Sequence, residues 1–157
     1  MWTGNRSRVD RILAAIEIPA LGLWLGALCG FAFIFAPIAF RIVAPLNVGR
    51  FATLTSAILS SLAVMGYACG GLAIVVALLR SREAGDRTFD FVRALLVGAA
   101  LALVSYETRS IVPELAAVND VNSPHYRALH GRSTLVYGGV VVLGLIAIVM
   151  AAGRREG

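Results

Sequence analysis

Glu107 is the residue of this sequence whose type and position most invite chemistry. It ends an uncharged run with Tyr106 before it and Arg109 two places on, while His130, Arg132, Ser133 and Tyr137 open a second such run. A carboxylate beside an imidazole in an apolar setting is a proton or cation site in principle. His130, Ser133 and Tyr137 recur at i, i+3 and i+7 and so share one helical face. Arg109 lies ~200° around a helix from Glu107, which prevents direct pairing. Glu107 is therefore expected to meet Arg41, Arg132 or His130 on a neighbouring helix. The plainer expectation is a polar clasp that closes one end of a helix bundle. It is favoured because no polar relay continues through the middle of the runs.

A second pair stands at the other end. Glu17 precedes the first long apolar run and Arg93 precedes the third. An ion pair between them, or with Arg80, is expected to fix the helix arrangement.

Other chemistries find less support. Haem needs two ligands from opposite sides of the iron, yet the two histidines, His125 and His130, fall in one segment; Met65 and Met150 are badly placed to help. Cys29 and Cys69 lie inside apolar runs without a CxxC pair, so they read as small packing residues, and no metal site is expected. There is no HExxH, no glycine-rich phosphate loop and no nucleophile motif. A non-enzymatic protein without a cofactor is the expectation.

The elements that must position these residues follow from composition. Of 157 residues 59% are hydrophobic and 15% charged, with mean hydropathy +0.82, whereas a soluble domain carries about 25% charged residues. Ile18–Phe40, Phe51–Leu79 and Ser133–Gly153 contain no Asp, Glu, Lys or Arg over 23, 29 and 21 residues. A helix crosses the hydrocarbon core with ~20 apolar residues. The third run, Ala94–Tyr106, has only 13 and crosses only by extending over about 91–112. Glu107 then has to face protein or water, because a short carboxylate cannot snorkel.

The fold class is thus all-α, a bundle of four transmembrane helices (about 12–42, 51–79, 91–112 and 130–152) in one membrane domain covering 1–157. The first run, with Arg6, Arg8 and Arg11 before it, is read as a retained helix rather than a cleaved leader. Nine arginines flank one side and five (Arg41, Arg50, Arg109, Arg127, Arg132) the other, which places both termini in the cytoplasm. The +5 charge reflects these flanks, so no nucleic acid partner is expected. Pro113 is expected to end or kink the third helix, with turns at Asn119-Asp120 and Asn122-Ser123-Pro124 beyond it.

Gly22, Gly26 and Gly30 stand at four-residue spacing in the first helix, and Gly66 and Gly70 do so in the second. Such stripes let helix backbones approach closely. They are expected to pack the four helices of the chain, or else to form the seam of a homo-oligomer or of a larger membrane complex. Thr53, Thr55, Ser56, Ser60 and Ser61 can return hydrogen bonds to their own helix and need not line a pathway.

Trp24-Leu-Gly26, Ala36-Pro37 with Phe40, Gly49-Arg-Phe51, Pro113, and Tyr126-Arg-Ala-Leu129-His130 followed by Ser133 together resemble the transmembrane-protein-205-like family. Tyr126 stands where that family usually has Phe, and Tyr137 where an Asn often follows on the same face. The resemblance implies a small four-helix bacterial inner-membrane protein of unassigned activity. The lead expectation is an accessory or packing subunit in the bilayer. A small transporter or ion-handling protein using Glu107 and His130 is the alternative, and a haem or metal carrier the remaining one.

Overall fold

The computed structural model describes residues 3–83, 87–118 and 120–153, with side chains over 12–81, 87–118 and 120–153. Arg154, Arg155 and Asn119, and the side chains of Arg6, Arg8, Arg11 and Arg82, lie outside the described residues. Helix α1 (Thr3–Gly30) passes through a π-helical turn, Phe31–Phe35, into α2 (Ala36–Ile42). After a short turn come α3 (Val48–Glu83) and α4 (Arg87–Tyr106). A second π-helical turn, Glu107–Ile111, leads into α5 (Val112–Ala117), and α6 (Pro124–Gly153) completes the chain.

Among the described residues four helical spans are long and apolar enough to cross a membrane: Ile12–Ile42, Val48–Ser81, Arg87–Ala117 and Pro124–Gly153. This is the build of a multi-pass integral membrane protein. Apolar side chains point outward as well as inward, with Leu135 78% and Phe33 79% exposed. Lipid, not water, is the solvent that such a surface fits.

The spans are longer than the uncharged runs, for local reasons. Asn47 caps α3, its Oδ1 accepting the Arg50 N–H at 2.9 Å, so that helix starts at Val48 rather than 51. Ser123 caps α6 by accepting the Tyr126 N–H at 3.1 Å, and Pro124 is its first residue. A proline at that position has no N–H to leave unpaired. The fourth helix therefore starts at 124 rather than 130.

The third span also corrects an expectation. Pro113 neither ends nor breaks it, because helix continues to Ala117. The ring of a proline clashes with the carbonyl four residues back. Both Pro37 and Pro113 follow a π-helical turn whose closing bond is five residues wide: the Ala36 N–H donates to Phe31 O, and the Val112 N–H to Glu107 O. The wider turn makes room for the ring and the helix goes on.

The spans pack in a ring, α1 against α3, α3 against α4, α4 against α6 and α6 against α1. Leu21, Trp24, Val97, Ala100, Val104, Val140 and Ala147 fill the centre. Small residues recur there, as expected where dispersion between closely approaching backbones replaces the hydrophobic drive. Closure is incomplete. The π-helical turn Phe31–Phe35 and α2 approach no part of α6, so the first span leaves the fourth along its second half.

Candidate functional site

At the end of the bundle where α1 begins and α6 ends, four charged side chains of the described residues are buried together. Arg93 Nε lies 3.1 Å from Glu17 Oε1, Arg93 Nη2 3.2 Å from Asp90 Oδ1, and Arg80 Nη1 3.5 Å from Glu17 Oε2. Glu17, Asp90 and Arg93 are 0% exposed. Among the described residues two arginines and two carboxylates meet, and opposite charges in contact offset part of the large cost of burying each alone. The Glu17–Arg93 pair reaches across the ring from α1 to α4, and Arg80 brings in α3. Glu17 meets both Arg93 and Arg80, and Asp90 is an unexpected fourth member. Its i, i+3 spacing from Arg93 was the signal that places it on the same face.

Toward the opposite end, which carries the 43–47 and 118–123 loops, Glu107 is fully buried in the second π-helical turn. Its partner is not Arg41, Arg132 or His130 but Ser133, whose hydroxyl donates to Glu107 Oε1 at 2.5 Å. Arg41, Arg109, Arg132 and His130 are exposed, and Tyr106 is half exposed on the outer surface of its span. The cationic side chains are long and extend toward water, whereas Ser133 faces the bundle centre. Glu107 Oε2 has no hydrogen-bond partner among the described residues. Tyr137 lies within electrostatic reach of both Glu107 and Tyr67. The Tyr67 and Ser105 hydroxyls bond to each other at 3.0 Å. A polar band thus joins α3, α4 and α6, with Tyr67 and Ser105 as members not expected from spacing along the chain.

Ser133 and Tyr137 also form part of the wall of a cleft of about 520 Å3. The cleft lies where the first span parts from the fourth. Residues 28–36 form one side, 48–59 another, α6 between Tyr126 and Val142 the third, and Val112, Leu115 and Ala116 of α5 close it from the third span, with Val118 and Val121 at its top. Its lining is mostly apolar. The Thr55 and Thr134 hydroxyls bond to carbonyls of their own helices, at 2.9 Å to Phe51 O and 2.9 Å to His130 O. That leaves Ser56, Tyr126, His130 and Tyr137 as its available polar groups. Tyr126 and His130 stack with ring centroids 5.9 Å apart and planes 8° apart, one above the other along α6. Cys29 lines this cleft and Cys69 packs against the core. Among the described residues no three of His, Cys, Asp and Glu converge.

The glycines divide into two groups. A Cβ on Gly66 would stand 2.6 Å from Trp24 Nε1, and one on Gly70 would stand 2.9 Å from Leu101 Cδ2. These two positions are empty because a neighbouring side chain occupies them. Gly144 does the same for Leu25. A Cβ on Gly22, Gly26 or Gly30 meets nothing within 4 Å, nor does one on Gly71, Gly98, Gly131, Gly138 or Gly153, but only the first three stand at four-residue spacing along one helix. The three glycines of the first helix therefore receive no side chain of the described residues, unlike Gly66 and Gly70, where the expected close packing within the chain is present.

No curated protein and no solved structure matches the chain. Residues 20–123, two thirds of the sequence, match the family model described as a domain of unknown function, DUF4149. The match takes in Arg80, Asp90 and Arg93 of the charge cluster, Glu107, and the walls of the cleft other than α6. The chain belongs to the DUF4149 family.

Proposed function

We propose that this protein is a non-enzymatic accessory subunit of a bacterial inner membrane, with both termini cytoplasmic, that self-associates or joins a larger membrane complex through the glycine face of α1. The observation that carries this reading is the contrast among the glycines. Gly66, Gly70 and Gly144 each admit a side chain of the same chain, while a Cβ on Gly22, Gly26 or Gly30 meets none, and Gly22 and Gly26 are exposed. A glycine in a helix costs about 1 kcal/mol relative to alanine, and on a lipid-facing surface it packs nothing in return. A second helix backbone is what such a face accommodates. The likeness of the Trp24-Leu-Gly26 and His130/Ser133 motifs to the transmembrane-protein-205-like proteins belongs to the same reading.

The test is the oligomeric state of the full chain in mild detergent and in vesicles, by mass photometry and single-pair fluorescence transfer. The wild type is expected to be a dimer or larger, or to retain a partner. Gly26→Leu, whose side chain enters open space within the monomer, is expected to release a folded monomer. A wild type that is strictly monomeric and alone would sink the reading.

Ion handling is a second reading, favoured by the unpartnered buried oxygen of Glu107 beside Tyr137 and the Tyr67–Ser105 pair. Its basis has narrowed, since the arginines and His130 do not join Glu107. A dye-based H+, Na+ or K+ flux in vesicles that Glu107→Gln abolishes would support it; flux unchanged by that variant would dismiss it.

A further inference from the structure

We propose that the cleft between the second half of the first span and α6 binds one acidic phospholipid, its acyl chain in the depth of the cleft and its phosphate at the mouth beside His130 and Arg127. Three observations point to that ligand. The first is length. Cleft-lining residues on α6 run from Tyr126 to Val142, which at 1.5 Å per residue is about 24 Å. One leaflet with its headgroup layer is about half of 40–45 Å. The cleft is as deep as a leaflet and stops near the bundle's mid-depth.

The second is a polarity gradient. Along α6 the lining changes from Tyr126 and His130, through Ser133 and Tyr137, to Gly138, Val141 and Val142. Stacked Tyr126 and His130 are aromatic and polar at once, the character that side chains have at the level of lipid headgroups. Beyond Tyr137 the α6 wall, Gly138, Val141 and Val142, offers apolar contact alone. A polar-headed chain matches that order and a wholly apolar or wholly polar ligand does not. The volume, about 520 Å3, falls within the ~300–1,000 Å3 of small-molecule sites.

The third is charge. Arg41, Arg50, Arg109, Arg127 and Arg132 are all exposed at this end, against Glu114 and Asp120 as the exposed carboxylates there among the described residues. Arg127 lies about 60° around α6 from His130 and one turn nearer the water, on the side of the helix that lines the cleft. Its guanidinium suits a phosphate better than a lysine would.

Photolabelling tests the proposal. The full chain is reconstituted in phosphatidylcholine vesicles containing a small fraction of phosphatidylglycerol with a diazirine in its acyl chain, irradiated, and mapped by peptide mass spectrometry. Adducts are expected to gather on residues 28–36, 52–59 and 138–142, several-fold above Leu23, Leu135 and Val149, which are equally open to lipid. The same diazirine on phosphatidylcholine is expected to label the cleft less. A Cβ on Gly138 meets nothing, so Gly138→Leu fills the cleft and should cut its labelling several-fold while labelling at Leu135 persists. Arg127→Gln, an exposed change that leaves the core alone, should lower the preference for phosphatidylglycerol about fivefold. Even labelling over all lipid-facing positions overturns the proposal. So does equal labelling by the two lipids, or a cleft cross-linked to a second copy of the chain instead of to lipid.

Discussion

Ser133 and Glu107 hold the third and fourth spans together by one short hydrogen bond, 2.5 Å from hydroxyl to carboxylate, buried from both lipid and water. The carboxylate can sit there because the π-helical turn that accommodates Pro113 begins at Glu107 itself. A packing device for a proline and a polar contact between spans are thus one local structure. Ser133→Ala removes the donor and leaves both carboxylate oxygens buried without a side-chain partner. A loss of about 1–2 kcal/mol is expected in reversible unfolding in detergent. Glu107→Gln in the same background should recover part of it, since an amide costs less to bury than a carboxylate.

The Glu17–Arg93 pair is expected to behave as a unit with Asp90 and Arg80. Arg93→Met removes the arginine that touches both Glu17 and Asp90 and should cost about 3–5 kcal/mol. Adding Glu17→Gln restores the charge balance, so the double variant should be less destabilised than the sum of the single changes. A double-mutant cycle on unfolding free energies measures the difference. Strict additivity would mean that the two charges do not sense each other across the ring.

Glycine substitutions should separate the two stripes. Gly66→Ala places a methyl 2.6 Å from the Trp24 ring, which is held on all sides, and should cost about 1–3 kcal/mol. Gly22→Ala meets nothing within the chain and should be neutral or gain up to about 1 kcal/mol in the monomer. Thermal unfolding of the two variants side by side gives the comparison.

Pro37 is expected to keep the cleft open. Pro37→Ala restores an N–H donor and removes the ring clash that the π-helical turn relieves. The first span should then straighten and move toward α6. Spin labels at Phe33 and Val142, on facing walls of the cleft, should show a shorter and narrower distance distribution in the variant. An unchanged distribution would mean that packing alone sets the divergence.

The four crossings were legible in the sequence because lipid imposes a length and a composition on any helix that spans it. Ile18–Phe40, Phe51–Leu79 and Ser133–Gly153 declare themselves by the absence of charge alone. The start of α6 was not legible from charge. Ser123 and Pro124 are local signals that a hydropathy count passes over, though a capping rule reads them. Pro113 was misleading for a physical reason. A proline breaks the four-residue hydrogen-bond ladder, and nothing in the sequence says that the preceding turn will widen to keep the helix going.

Glu107 shows where sequence and tertiary structure divide. Its burial followed from position: a short acidic side chain inside a membrane span must turn away from lipid. Its partner did not follow. Arg41, Arg132, His130 and Ser133 all lay at a plausible depth, and helical periodicity fixes angles within one helix but not which face of the next helix meets it. The ring order of the spans made that choice, bringing Ser133 inward and sending the arginines outward. The divergence of the first span from the fourth was decided in the same way, as was the outward aim of Gly22 and Gly26. Depth in the membrane is written residue by residue along the chain; pairing between helices exists only once they are packed.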